Sequence, residues 1–320
     1  AYGLFQEKPS ITKISFAEGT AVTAIPHCFI SIDSASNSQL SSVVLPSSIK
    51  TIGTSAFAAY SNSLETFQIG EDSSCVDLTG LTEIDSLGLA NLRTSKISGM
   101  DLKVSDELKS IGLNAFRNGT FNKMILTKGD YQNIAVADGA FTLFKLTNGL
   151  EMENGVENAD AIIDGLLAIK MVTTFTQLYE NGGKVIYTVD YTANTVNIEV
   201  DGVDEFESPE KWHGLPVTQT NITIEKTPWT ITATTSANGE NTCTITGYSP
   251  EKGASTEVKI PKEIDGYTVK AIGENVFKDN STITKITFAK DSACESIGAY
   301  AFAVDSTTSS DNLTSITLPS

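Results

Sequence analysis

Histidine, tryptophan and cysteine are scarce in this chain of 320 residues: two His, two Trp and four Cys. His27 and His213 leave little material for a zinc site, which takes His and Cys in sets of three or four. Four scattered Cys leave little for a disulfide framework. Basic side chains are also few, 22 Lys plus Arg against 39 Asp plus Glu, a formal charge of −17. Duplex nucleic acid and anionic lipid both need neutralising cations, so neither is an expected partner. No apolar run is long enough for a membrane-spanning helix, so no membrane insertion is expected of this segment. Gly-x-Ser-x-Gly, His-Glu-x-x-His and Walker loops are missing, and no enzyme, cofactor or metal site is predicted. The start, Ala1-Tyr-Gly-Leu4, lacks the basic and apolar regions of a secretory signal. The end, Leu313-Thr-Ser-Ile316-Thr-Leu318-Pro319, breaks off inside a recurrent phrase, so a fragment of a longer chain is expected.

What the chain does have is a core: 40 % of its residues are apolar and only 19 % charged, which separates it from disordered acidic tails. Its acidity is uneven. Residues 1–148 hold 14 acidic and 11 basic side chains, and residues 211–320 hold 12 and 9. Residues 149–210 hold 13 acids against Lys170 and Lys184, a net of −11. The middle of the chain is thus a different kind of segment from its flanks.

Both flanks carry an internal repeat. One phrase recurs as Ile52-Gly-Thr-Ser-Ala-Phe57, Ile111-Gly-Leu-Asn-Ala-Phe116, Ile272-Gly-Glu-Asn-Val-Phe277 and Ile297-Gly-Ala-Tyr-Ala-Phe302. Weaker copies are Ile25-Pro-His-Cys-Phe29 and Ile84-Asp-Ser-Leu-Gly-Leu89. Three residues before each Ile stands Val22, Ile49, Leu81, Leu108, Val269 or Cys294. A second phrase alternates with the first: Ile11/Ile14/Phe16, Leu40/Val43/Leu45, Leu64/Phe67/Ile69, Phe121/Met124/Leu126, Val258/Ile260, Ile283/Ile286/Phe288 and Leu313/Ile316/Leu318. Its alternation predicts a short half-buried strand, stopped by Pro46, Pro261 or Pro319. Spacing varies only in polar inserts such as residues 34–38, 61–63 and 306–311, since turns outside a core absorb length cheaply. The pattern predicts a β-rich solenoid, each coil giving one parallel strand and one short helical or irregular corner. The Gly of the corner is read as serving a tight bend, and the Ala before Phe as filling a crowded place.

These phrases resemble the BspA-like leucine-rich repeat of bacterial and protozoal surface proteins. The resemblance covers about residues 11–148 and 240–320. It implies stacked leucine-rich repeat arrays and an exported adhesin or interaction module, with no catalytic residues. The Asn or Cys rung that general leucine-rich repeats carry after the strand is not at that place here, so their asparagine ladder is not carried over.

Between the arrays, residues 185–189 and 196–200 read as a hairpin, with further strands at 221–224, 229–233 and 243–246. Residues 161–169 read as a short strand pair or a closing cap. The expected domains are a first array over 1–148, an acidic β-rich linker or cap over 149–229 and a second array over 230–320. Cys28 is assigned to the small position before Phe29 and Cys294 to a core position, both as small hydrophobes. Asp201, Asp204 and Glu205 are the weighed calcium ligands, although a solvated charge run has the same composition. A carboxylate pair for glycoside hydrolysis is the enzymatic alternative.

The expected function is a non-catalytic, secreted or cell-surface adhesin that binds a protein or glycan of a host or neighbouring cell. Its candidate face is the outward side of the strands: Thr12, Lys13, Ser15, Ser41, Ser42, Thr284, Lys285, Thr287, Thr314, Ser315 and Thr317, with Trp212 as an aromatic weighed between packing and contact. The alternatives are a structural spacer with no ligand and an accessory module of a polysaccharide-degrading enzyme.

Overall fold

The computed structural model describes residues 4–319 except 6, 7, 9, 18, 31–38, 58–63, 181, 204, 205, 227, 252 and 305–311. The polar inserts named above therefore lie outside the described residues. The chain forms two compact units, Ala1–Gly182 with Ile186–Ala193, and Gly183–Val185 with Asn194–Ser320.

The first unit is a β-solenoid. Lys13–Ser15, Ser42–Leu45 and Thr66–Ile69 pair in parallel, with Ile14, Val43 and Phe67 in one inward row. Each side chain of that row is buried, as the alternation requires. A second parallel ladder, which the sequence had merged into the corner, joins Ala24–Ile25, Thr51–Ile52, Glu83–Ile84, Ser110–Ile111 and Ala135–Val136. The last of these reveals an unrecognised copy of the corner phrase, Val136-Ala-Asp-Gly-Ala-Phe141.

The third coil carries an extra strand. After Thr66–Ile69 the chain turns at Gly70, whose φ is +75°. Asp72 then accepts from the N–H and the hydroxyl of Ser74 at 2.8 and 2.5 Å, and those bonds, the hydroxyl first, hold its carboxyl down to about 2. The strand that follows, Cys75–Asp77, opens a new parallel ladder through Asp101–Val104, Met124–Leu126, Leu150–Met152 and Thr174–Leu178. Met124 therefore lies opposite Leu102 on this ladder, not in the row of Phe67, while Thr120–Phe121 pairs with Lys145–Leu146. The ladder runs past residue 148, and the two units divide in the turn around Ala193.

Residues 161–169 are not a strand pair: Asp160–Ala168 is an α-helix. Ile162, Ile163 and Leu166 are its buried residues, a helical spacing that the adjacent β-branched pair disguised.

The corner is built differently from its sequence reading. The left-handed residue is the fourth of the phrase: Cys28, Ser55, Leu87, Asn114, Asn275 and Tyr300 have φ between 51° and 61°. The Gly at the second place is there for space. A Cβ on Gly112 would lie 2.5 Å from Ser86 N and 2.7 Å from Asp85 C, and one on Gly298 would lie 2.5 Å from Glu274 N. Successive coils thus touch backbone to backbone at this point. Hydrogen bonds settle the first copy as well. Cys28 N donates to Thr54 O and Ile30 N to Ala56 O, as Leu87 and Leu89 N donate to Leu113 and Ala115 O. Cys28 therefore takes the left-handed place, Phe29 the Ala place and Ile30 the Phe place, so Cys28 does not occupy the small position assigned to it.

Aromatic rings fill the interior beneath the corners. Phe116 stacks on Phe141 with centroids 5.5 Å apart and packs against Phe144 at 5.7 Å. Tyr131 is buried with its hydroxyl donating toward Val104 O and Thr127 O, each 2.8 Å away. Side-chain ladders also run from coil to coil: Asn148 Nδ2 donates to Asn122 Oδ1, and Asn122 Nδ2 to Asp101 Oδ1. They precede the strands Leu150–Met152 and Met124–Leu126 rather than follow them.

In the second unit, Leu215–Lys226, Trp229–Ser236 and Asn241–Tyr248 form an antiparallel meander. Thr195–Asp201 runs parallel to its first strand, and Tyr267–Ile272 parallel to its last. From there the solenoid pattern resumes: Ala271 and Ile272 pair with Ser296 and Ile297. Glu257–Ile260, Lys285–Phe288 and Ser315–Thr317 form the outer parallel ladder. Its core joins Ile231, Ile245, Val269, Ile272 and Ile286, with Phe277 stacked on Phe302 at 5.5 Å.

Candidate interaction face

Strand alternation sends every second side chain of the ladders outward, and register decides which ones meet. In the first unit Lys13, Ser42 and Thr66 form one outward row, and Ser15, Val44 and Gln68 the next. In the second unit the rows are Glu257, Lys285 and Ser315, then Lys259, Thr287 and Thr317. Lys285 Nζ lies 3.1 Å from Glu257 Oε2, an exposed pair of small energetic weight. Thr66, Gln68, Glu257 and Lys259 complete the rows. All four were visible in the sequence, Glu257 and Lys259 beside Val258 and Ile260, Thr66 and Gln68 beside Phe67 and Ile69.

The remaining candidates brace the coils. Ser41 Oγ donates to Thr12 O at 3.0 Å, Thr284 Oγ1 to Thr256 O at 3.2 Å and Thr314 Oγ1 to Thr284 O at 3.0 Å. Each hydroxyl reaches back to the coil before it, where it satisfies a second lone pair of a carbonyl already in the ladder. Thr12 is exposed. Trp212 stands in the strand Lys211–Trp212, paired with Leu215 and Pro216. The turn between them is His213 and Gly214, with φ of 45° and 79°, and the Trp212 ring meets the His213 ring edge-on at 4.7 Å. Trp212 is half-buried.

On the ladder opened by Cys75–Asp77, Asp77, Lys103, Ile125, Glu151 and Thr176 stand in register, three charged side chains in a row with a buried Ile125. Lys123 Nζ contacts both Glu151 oxygens at 2.9 and 2.8 Å. Thr54 N donates to His27 Nδ1 at 2.9 Å, which makes that nitrogen an acceptor in a corner. Asp201 sits 3.8 Å from Lys184 Nζ, while Asp204 and Glu205 fall outside the described residues. Among the described residues no cluster of three or more His, Cys, Asp or Glu is arranged around a metal position.

All four cysteines are free, with Cys75 and Cys243 buried and Cys28 and Cys294 half-buried. Cys294 is thus less enclosed than its assignment to the core required. Burial pushes the thiols of Cys75 and Cys243 up to about 11 and raises that of Cys294. Since the thiolate is the nucleophile, a thiol reagent at pH 8 is expected to label Cys28 and Cys294 first and to reach the other two only in denaturant. Peptide mapping after timed labelling measures this; native labelling of Cys75 or Cys243 at the denatured rate contradicts the packing.

Residues 2–78 and 242–320 match the BspA type leucine rich repeat region, in six copies. The crystal structure of a leucine rich cell surface protein from Faecalibacterium prausnitzii is similar over 96 % of this chain and 69 % of that one, with 16 % identity and a TM-score of 0.26. No curated protein matches.

Proposed function

Because residues 2–78 and 242–320 belong to the BspA-type leucine-rich repeat family, we propose that the chain is a non-catalytic interaction protein of the cell surface or extracellular space. Its ligand is a protein or glycan, met by the outward strand rows of the arrays. The observation that carries this reading is the composition of those rows. Small hydroxyl and amide side chains at Ser15, Ser42, Thr66, Gln68, Thr287, Ser315 and Thr317 stand beside Lys13, Lys259 and the paired Glu257 and Lys285, a polar surface able to hydrogen-bond a partner. Stacked repeats extend such a surface over several coils.

The test is a binding screen of the 320-residue chain against extracellular-matrix proteins and glycans, followed by Ser42→Arg and Thr287→Arg. A hit whose affinity falls at least about tenfold in one variant, roughly 1.4 kcal/mol, with an unchanged melting temperature, supports the reading. A screen with no hit, or hits indifferent to both changes, removes the face and leaves the spacer.

A further inference from the structure

In the first unit each corner hands hydrogen-bond donors at alternate residues to the coil that follows. Ser55 N donates to Ser86 O, and Leu87, Leu89 and Asn91 N donate to Leu113, Ala115 and Arg117 O. Asn114, Phe116 and Asn118 N then donate to Gly139, Ala140 and Thr142 O. At the next corner the equivalent donors are Gly139, Phe141 and Leu143. The chain does not build another corner beyond them; it forms the helix Asp160–Ala168. Among the described residues none of these three N–H groups donates to a main-chain or side-chain acceptor.

A groove of about 710 Å³ separates this corner from the helix, with Gly139 and Leu143 on one wall and Ala168 and Ile169 on the other. Val136 and Met171 extend its apolar lining. Leu143 is 53 % exposed, as is Leu113 at 51 %, and the Leu113 side chain reaches within 3.4 Å of the Cβ position of Gly139. Among the described residues the charged side chains of the lining are carboxylates, Asp138 from the corner and Asp164 from the helix.

We propose that this groove binds an extended peptide segment with apolar side chains and at least one Lys or Arg. Its carbonyls accept from the N–H groups of Gly139 and Leu143, in place of the carbonyls that a further corner would supply. Its apolar side chains lie between Leu143 and Ile169, and its cation faces Asp138 and Asp164. The volume suits a few side chains of such a segment. The open donors of the corner hold the backbone of the ligand, and the two carboxylates select against acidic sequences.

The test uses the whole 320-residue chain and a fluorescein-labelled pentapeptide of alternating Leu and Lys, read by anisotropy. The expected dissociation constant is micromolar, on the order of 10 to 100 μM for a short segment. The double variant Asp138→Asn, Asp164→Asn is expected to weaken binding about tenfold, and Ala168→Trp, which fills the groove from the exposed helix face, to weaken it more. Both variants keep the melting temperature. A peptide with Glu in place of Lys is expected to bind at least about tenfold more weakly. Replacing alternate amides of the peptide by esters, which weakens the carbonyl acceptors, is expected to lower affinity. Absence of binding at millimolar peptide, equal binding of the Lys and Glu peptides, or binding indifferent to both variants overturns the proposal.

Discussion

Phe116→Ala is expected to cost about 3–5 kcal/mol. Phe116 is fully buried, stacked on Phe141 and in contact with Phe144. Phe144 in turn packs on Phe121 at 5.9 Å, so the ring stands in a chain of aromatics that crosses from corner to strand. Removing it takes away both the transfer energy of the ring and its contacts with Phe141 and Phe144. The coils on either side cannot close the gap, because their spacing is set by main-chain bonds such as Phe116 N to Ala140 O at 3.0 Å. Each kcal/mol is worth roughly 2–4 °C for a unit of this size, so a loss of about 10 °C is expected in thermal unfolding followed by circular dichroism. Phe116→Leu keeps most of the volume and is expected to cost about 1 kcal/mol. A melting temperature moved by less than about 3 °C in the Ala variant would mean that the ring is not part of the core.

Gly112→Ala is expected to destabilise by about 3 kcal/mol, at the upper end of ordinary overpacking. The sign is the informative part. Gly to Ala at a position free of left-handed φ normally stabilises by about 0.4–1 kcal/mol, by restricting the unfolded chain. Here the new methyl would sit 2.5 Å from Ser86 N and 2.7 Å from Asp85 C. Both are main-chain atoms of the preceding coil, and Gly112 N is bound to Ile84 O at 2.7 Å beside them. Relief therefore means lengthening that bond and spreading two coils. Gly99, with nothing within 4 Å of its Cβ position, is the control: Gly99→Ala is expected to stay within about 0.5 kcal/mol of the parent. Equal urea midpoints for the two variants would remove the close approach of coils as the reason for the recurrent Gly.

The same corner shows what a sequence of this kind discloses. Ile52, Ile111 and Ile272 were legible as core because burial of a repeated face leaves a repeated letter. Their Gly neighbours were legible as required but not for the right reason. The need arises from the backbone of another coil about 27 residues away, as with Gly53 and Pro26, and no local pattern carries that. The copy at residues 136–141 escaped because Val, Ala and Gly replace Ile, Gly and Asn while the fold of the corner persists. The extra strand Cys75–Asp77 and the shift of Met124 to its ladder escaped because the alternation looks the same on either side of a coil. The outward rows at Lys13 and Lys285 followed from alternation, whereas the bracing roles of Ser41, Thr284 and Thr314 depend on which carbonyl each hydroxyl reaches. The groove beside residue 139 had no letter of its own in the sequence: it exists because the following corner was replaced by a helix.

The direction of the corner and ladder bonds has a mechanical consequence. In the first unit they run from coil to coil, hence along the stacking axis, so tension on that axis loads them one rung at a time instead of shearing many together. A coil of about 27 residues, the offset between Thr54 and His27, releases roughly 90 Å of chain when it opens, at about 3.4 Å per residue. Such a stack is expected to yield in small steps at low force and to lengthen many times over before any covalent bond is strained.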